Sequence, residues 1–133
     1  MSRERPSAAE MLLDSIPDVA VAVDDRWRVT ALNAAAARLC GRDALGEPFS
    51  AAFPGLDAGV FGPACRRAMR ERTPVRVEGR EAARGAWWQL DVSPLEGGGL
   101  ALVVRDVTDR RRTEEALQAS EERLRLLGDH LPE

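Results

Sequence analysis

Leu-Ala-Leu-Val-Val-Arg-Asp-Val-Thr-Asp-Arg, residues 100–110, is the stretch that decides the fold. It opens with an apolar run, Leu100 to Val104, which predicts a buried strand. Asp106 and Thr108 follow as candidate caps, and the charged residues after them predict a long helix from about Asp109 to Leu131. A strand that runs straight into a long exit helix is a means of carrying a conformational change out of a domain.

The end of the chain partly repeats its beginning. Residues 126–133, Leu-Leu-Gly-Asp-His-Leu-Pro-Glu, resemble residues 11–18, Met-Leu-Leu-Asp-Ser-Ile-Pro-Asp. We therefore expect one module of a longer tandem protein. Its expected parts are an N-terminal flanking helix at 1–18, a domain at 19–108, and an exit or linker helix at 109–133 that leads into the start of a second such domain.

Composition limits the class of protein. With 133 residues and 44% hydrophobic residues, the chain suits a single domain with its own core. Its formal net charge of -3 argues against bulk attraction to nucleic acid, and no nucleic-acid partner is expected. Cys40 and Cys65 are too few and too scattered for a disulfide framework, which favours a reduced, cytoplasmic setting. No apolar run reaches the roughly 18 residues of a membrane span, although a longer parent protein could carry its own anchor.

Periodicity and turn signals predict two strands, then helices, then three strands. This order favours an α+β domain with one five-stranded antiparallel sheet and helices on one face. Val19–Val23 and Leu100–Val104 are apolar on both faces, so they should be central in the sheet. The expected elements are strands at 19–23 and 27–32, a helix at 34–40, turns at 43–45 and 48–53, a helix at 63–72, and strands at 75–78, 86–94 and 100–105.

Several of these segments resemble the PAS sensory domain of bacterial sensor histidine kinases and related multi-domain signalling proteins. The matching pieces are Ile16-Pro17-Asp18, Asn33-x-Ala35, Trp87-x6-Pro94, the exit run from Arg105 to Arg111, and the linker-like stretch from Glu114 to Arg123. The resemblance implies a PAS fold, in which a five-stranded antiparallel sheet and its helices enclose a small cavity. It also implies a role in signal transduction, with an output domain in the same polypeptide, a histidine kinase first among the candidates.

The leading functional hypothesis is a sensory and dimerisation module that couples a small-molecule or partner signal to that output domain. One alternative is a ligand-free interaction scaffold, and another is a cofactor-dependent redox or light sensor. In the sensory module the cavity takes a ligand, whereas in the ligand-free scaffold the module's own side chains fill the cavity. The candidate cavity residues are Leu32, Leu39, Phe53, Phe61, Met69, Trp88 and Leu90.

No cofactor is expected, and neither haem nor flavin fits the sequence. The only histidine, His130, lies in the linker, whereas a haem-binding relative needs an axial histidine on its core helix. Cys65 follows Pro63 near a predicted helix start, which would lower its pKa and suit a redox or chromophore-attachment site. The surrounding residues lack the Asn-Cys-Arg-Phe signature of flavin-binding relatives. With no catalytic triad, metal-ligand cluster or nucleotide loop, the fragment is expected to be non-catalytic.

Polar residues at helix starts have two interpretations each. Asn33 is either the cap of the helix at 34–40 or a ligand-contacting amide. Asp106 and Thr108 are either simple caps or, as the resemblance implies, anchors that transmit the signal to the exit helix. Residues 63–85 hold seven arginines against three glutamates, so they form either a solvated face or an anion-recognition surface built from Arg66, Arg70 or Arg76.

The exit helix carries a partial heptad pattern. Leu117 and Leu124 are seven residues apart, with Leu131 next in the series. The pattern predicts a parallel coiled coil, and the alternative is a solvated amphipathic helix. We expect a parallel homodimer, with an interface formed by Met11, Leu12, Trp87, Leu117 and Leu124.

Overall fold

A computed structural model of the protein describes residues 18–81 and 85–130. The predicted N-terminal helix, with Met11 and Leu12, lies outside the described residues, and so does Leu131. The elements that position the candidate site all fall within the described ranges.

The sheet has five antiparallel strands in the order β2-β1-β5-β4-β3. The strongly apolar strand β5 lies in the middle and β1 lies beside it, as their apolar sequences predicted. This arrangement confirms the predicted α+β class and the antiparallel sheet. The strands are β1 (Val19–Val23), β2 (Val29–Leu32), β3 (Val75–Arg80), β4 (Trp87–Pro94) and β5 (Leu100–Asp106).

The helices that separate β2 from β3 pack on one face of the sheet and enclose the core against it. Their inward residues form one apolar cluster with alternate residues of the strands. The long exit helix continues from β5. The helices are α1 (Ala34–Cys40), α2 (Phe49–Ala52), a 3-10 turn (Pro54–Leu56), α3 (Phe61–Glu71) and α4 (Thr108–His130).

Strand β4 shows how the sequence alternates between the two faces of the sheet. Trp88, Leu90 and Val92 are buried in the core. Trp87 and Asp91 lie on the opposite face and are half-buried. This alternation puts adjacent tryptophans on opposite sides of one strand.

The turn between β1 and β2 is longer than predicted, because β2 begins at Val29 instead of at Trp27. The Asp24 carboxylate accepts hydrogen bonds from the backbone N–H groups of Arg26 at 2.9 Å and of Arg28 at 3.0 Å. Trp27 adopts φ 65°, the left-handed region that bulky residues rarely occupy. The side-chain cap from Asp24 thus extends the turn by two residues.

Two helical segments also differ from the prediction. α3 begins at Phe61, two residues before Pro63, and ends at Glu71. A proline is tolerated in the first helical turn, since the N–H groups there have no intrahelical acceptor. The segment predicted as a turn at 48–53 contains the short helix α2. Strand β3 also differs from the prediction, because it continues to Arg80 instead of ending at 78.

Candidate functional site

A small cavity, here called the interior cavity, lies between the helical layer and β4 and is partly open to solvent. Its volume is about 170 Å³, below the roughly 300–1,000 Å³ of most small-molecule pockets. Any ligand of this cavity is therefore small. Its walls are Leu39, Ala52, Phe53, Pro54, Gly55, Leu56, Glu81 and Trp88.

Three of the seven predicted cavity residues, Leu39, Phe53 and Trp88, line this cavity. Phe61 and Leu90 are instead packed into the core, with 2% and 0% of their surface exposed. Leu32 and Met69 are half-buried and pack against the same core. The structure thus brings together only part of the predicted set, because the rest fills the interior.

Glu81 is a polar wall residue that sequence reasoning missed. It follows β3 and is 7% exposed. Its backbone N–H donates to the Ala86 carbonyl at 2.8 Å, and its own carbonyl accepts from Gly85 N–H at 2.8 Å. Nothing in the sequence separates this glutamate from the exposed Glu71, because its burial depends on the cavity wall that it joins in the folded chain.

The junction between β5 and the exit helix is held by hydrogen bonds to the first residue of β4. The Thr108 side-chain oxygen accepts from Trp87 N–H at 2.9 Å, and Val107 N–H donates to the Trp87 carbonyl at 2.8 Å. Asp106 Oδ1 accepts from Thr108 N–H at 2.9 Å. Hydrogen bonds from Thr108, its side chain first, hold the pKa of Asp106 below its ordinary value.

An ion-pair cluster adds a second connection between the exit helix and the sheet. The Glu78 carboxylate on β3 accepts from Arg110 at 2.7 Å and from Arg111 at 3.1 Å. The hydrogen bond from Arg110 is the main cause of a lowered Glu78 pKa, and Arg111 adds to it. The Arg111 guanidinium also lies over the Trp87 ring, 3.9 Å from its centroid. Trp87, predicted as a dimer contact, is therefore partly covered by a cation of its own chain.

Beyond these contacts the exit helix is exposed. Every described residue from Arg112 to Gly128 is solvent-exposed. Leu117 and Leu124, the predicted interface leucines, expose 59% and 65% of their surface. The first turn of α4 is thus attached to the sheet, whereas Leu117 and Leu124 in its later turns are largely exposed.

The two cysteines differ from each other in environment. Cys65 is 1% exposed, and burial raises its pKa to about 12, with the nearby Asp57 charge adding to the effect. The predicted lowering of its pKa is wrong, because burial outweighs the position near a helix start. Cys40 is half-buried, and its thiol donates to the Arg42 carbonyl at 2.8 Å.

Asn33 is a helix cap, as one of its two interpretations predicted. Its Oδ1 accepts from Ala36 N–H at 2.9 Å and from Ala20 N–H at 3.1 Å. Its amide donates to the Asp18 carbonyl at 2.7 Å. The side chain therefore ties the start of α1 to β1, which accounts for its near-complete burial.

The three arginines considered for anion recognition have different surroundings. Arg70 pairs with Glu71 at 3.4 Å, and Arg76 pairs with Asp91 at 2.6 Å. Arg66 lines a different pocket, beside the β1–β2 turn. Within residues 18–81 and 85–130 no cluster of three or more histidine, cysteine or acidic residues is placed to hold a metal ion. None of the helices in these ranges is long and apolar enough to cross a membrane.

Comparison with known proteins gives a family match over most of the chain. The model of a family described as "PAS fold" matches residues 13–112. No protein among the curated sequences compared matches the chain.

Solved structures resemble the fold at low sequence identity. The PAS domain of Bordetella pertussis BvgS aligns with a TM-score of 0.63 and 20% identity over 86% of this chain and 94% of its own. The photoactive yellow protein domain of the sensor histidine kinase Ppr from Rhodospirillum centenum has a TM-score of 0.60 and 18% identity, over 73% and 92%. A domain of an HTR-like protein from Haloarcula marismortui has a TM-score of 0.58 and 23% identity, over 70% and 100%. At these identities the likeness concerns the fold alone.

Proposed function

The chain belongs to the PAS-fold family, and from this premise we propose that it is a sensory and dimerisation module. It couples a small-molecule or partner signal to an output domain in the same polypeptide. In this proposal residues 19–108 receive the signal. Residues 109–133 form the linker that passes it on, into a second domain of the same kind or into the output domain.

The observation that carries the proposal is the uneven attachment of the exit helix. Its first turn is hydrogen-bonded to Trp87 and ion-paired to Glu78, whereas residues from Arg112 to Gly128 are exposed. At 1.5 Å per residue, α4 is about 35 Å long. A small tilt at the fastened end therefore becomes a larger displacement at the far end.

The interior cavity is well placed to cause such a tilt. Trp88 lines the cavity, and the next residue back along β4, Trp87, binds the exit helix. Trp88 is also paired with Asp106 in the β4–β5 ladder. A small ligand that displaces Trp88 would therefore move the strand end to which α4 is attached.

Dimerisation is the second part of the proposal. Leu117 and Leu124 are exposed apolar residues at heptad spacing on a helix that is rich in charged residues, and Leu126 and Leu127 nearby are also exposed. Exposed apolar patches of this kind are usually covered by a partner. A second copy packed in parallel would cover them, and the output domains would then lie side by side. Met11 and Leu12, outside the described residues, and Trp87 complete the proposed interface.

A ligand-free scaffold is a second candidate function, favoured by the small cavity volume of about 170 Å³. A variant that fills the cavity distinguishes the sensor from the scaffold. Ala52→Leu, which adds side-chain volume to a buried cavity wall, should leave a scaffold's dimer intact and remove a sensor's response to its ligand.

The output domain, cofactor state and location remain predictions. A histidine kinase output is proposed because the structurally similar photoactive yellow protein domain belongs to the sensor histidine kinase Ppr. The buried, protonated thiol of Cys65 weighs against a cysteine-linked chromophore or redox centre, in keeping with the prediction of no cofactor. A cytoplasmic location belongs to the same proposal.

Sedimentation velocity tests the dimer. The double variant Leu117→Asp/Leu124→Asp should be monomeric at concentrations where the unaltered chain is a dimer, because it places charges in the apolar seam. The matched control is Ala119→Asp/Leu126→Asp, which adds the same acidic residues two positions along, off the heptad seam. A monomeric unaltered chain, or equal effects of both variants, would reject this interface.

A further inference from the structure

A second pocket lies beside the β1–β2 turn and shares no wall residue with the interior cavity. Its volume is about 290 Å³, close to the lower end of the range for small-molecule pockets. It is formed by the turn at residues 26–28, the start of α2 and the first half of α3. The pocket is therefore built from segments that are far apart in the sequence.

Its walls are strongly cationic. Three arginines, Arg26, Arg28 and Arg66, line it against a single carboxylate, Asp57. The one ion pair among them, between Arg66 and Asp57, is long at 3.7 Å. Arg28 donates to the Gly46 carbonyl at 3.0 Å, a neutral acceptor, and the nearby Asp24 carboxylate offsets only part of the charge of Arg26 and Arg28. The pocket thus keeps a net positive charge that attracts anions.

Its apolar wall is aromatic. Trp27 is half-buried, and its ring centroid lies 6.1 Å from that of the buried Phe49. The backbone holds this arrangement, because Phe49 N–H donates to the Trp27 carbonyl at 2.8 Å. Residues Arg26 and Arg28 flank Trp27 in the chain, and the Asp24 side chain fixes their backbone N–H groups. The guanidinium groups of Arg26 and Arg28 and the indole ring of Trp27 therefore line the same pocket.

We propose that this pocket binds a small organic anion with a flat apolar body, of the aromatic carboxylate class. Guanidinium groups bind carboxylates through paired, charge-assisted hydrogen bonds, and an indole ring packs against a flat body. The pocket volume admits one such molecule. This site goes beyond the proposed function, since it is separate from the interior cavity and from the exit junction.

Titration with terephthalate, followed by the indole N–H signals in NMR spectra of 15N-labelled protein, tests the proposal. The Trp27 signal, assigned with a Trp27→Phe variant, should shift saturably with a dissociation constant of about 1 mM or tighter. The Trp88 signal, which reports on the interior cavity, should stay in place. Terephthalamide, which has the same flat body without charge, should bind at least about tenfold more weakly.

Variants identify the residues responsible. Arg26→Gln and Arg66→Gln should each weaken terephthalate binding by about tenfold, since each removes one charge-assisted contact. Arg70→Gln is the matched control, because Arg70 is exposed on the same helix as Arg66 and does not line the pocket. Circular dichroism should show all three variants folded, because these arginines are exposed.

Three results would overturn the proposal. One is the lack of a saturable Trp27 shift at about 10 mM terephthalate. Another is equal binding of terephthalamide, or equal affinity in the arginine variants and the Arg70 control. The third is inorganic phosphate binding as tightly as terephthalate, which would show that the pocket recognises charge alone.

Discussion

The backbone N–H of Trp87, the first residue of β4, donates to the side-chain oxygen of Thr108, the first residue of the exit helix, at 2.9 Å. One hydrogen bond therefore joins the start of a core strand to the start of the element that leaves the domain. Trp87 also accepts from Val107 N–H at 2.8 Å, so the strand end holds both residues of the junction. These hydrogen bonds attach the start of the exit helix to the start of β4.

Replacing Thr108 with valine should weaken this junction. The variant keeps the side-chain shape but leaves the half-buried Trp87 N–H without its acceptor, at a cost of about 1 kcal/mol in the free energy of unfolding. Thr108→Ser keeps the oxygen and should recover most of the loss. Urea unfolding curves measure both, and equal stability of the valine and serine variants would show that the hydrogen bond contributes nothing.

The ion-pair cluster should make the exit helix sensitive to acid. Arg110 and Arg111 hold the pKa of Glu78 below its ordinary 4.5, so their stabilising contribution is complete above that pH. It is lost as the pH falls through the lowered pKa. The difference in stability between the unaltered chain and Glu78→Gln should therefore be constant near neutrality and shrink in acid.

Thermal melts across a pH series measure this difference. Glu115→Gln, at an exposed position of the exit helix, is the control and should show a much smaller effect at every pH. A Glu78→Gln difference that stays constant, or grows, below the ordinary glutamate pKa would contradict the assignment.

The two thiols should react at different rates. Burial raises the pKa of Cys65 to about 12, so this thiol is almost fully protonated and shielded at pH 8. Cys40 is half-buried and should be alkylated first. Mass spectrometry after iodoacetamide treatment should find one label on the native chain and none on a Cys40→Ala variant. Equal labelling of both cysteines without denaturant would show that α3 opens readily.

Gly55 and Gly99 differ in the space that an added side chain would find. At Gly55, an added Cβ would meet only the Trp88 ring, at an ordinary 3.9 Å, so Gly55→Ala should stabilise the fold by about 0.4–1 kcal/mol. At Gly99, an added Cβ would collide with the Val23 carbonyl oxygen, and Gly99→Ala should cost at least about 2 kcal/mol. Urea unfolding should show opposite changes in the free energy of unfolding for the two variants. Similar changes would contradict the close approach of Gly99, directly before β5, to Val23 at the end of β1.

Features governed by local chemistry were predictable from the sequence. The helix at Ala34–Cys40 was predicted with the bounds found, because Asn33 caps its start and Gly41 adopts the left-handed conformation at its end. The central place of β5 followed from its apolar residues on both faces. The inward placement of Trp88 and Leu90 was predicted as well, since both were candidate cavity residues.

Features that depend on distant segments were not predictable in this way. The Trp27 carbonyl is held by a hydrogen bond from the distant Phe49 N–H, and the burial of Glu81 depends on the cavity wall that it joins in the folded chain. Arg66 was a candidate anion-binding residue, but its companions Arg26 and Arg28 are about 40 residues away and meet it only in the folded chain. Hydrophobic periodicity carries no information about which distant segments come into contact in the folded chain.

Hydrogen exchange on the Asp106→Ala/Thr108→Ala double variant tests most directly whether the sheet sets the position of the exit helix. Amides in the first turns of α4, such as that of Arg111, should exchange about tenfold faster than in the unaltered chain, because caps and anchors are lost. The amide of Leu102, in central strand β5, should keep its protection. The control double variant Glu115→Ala/Ser120→Ala, at exposed positions beyond the first turn, should leave both unchanged. Unaltered exchange at Arg111 in the junction variant, or an equal rise at Leu102, would contradict the account.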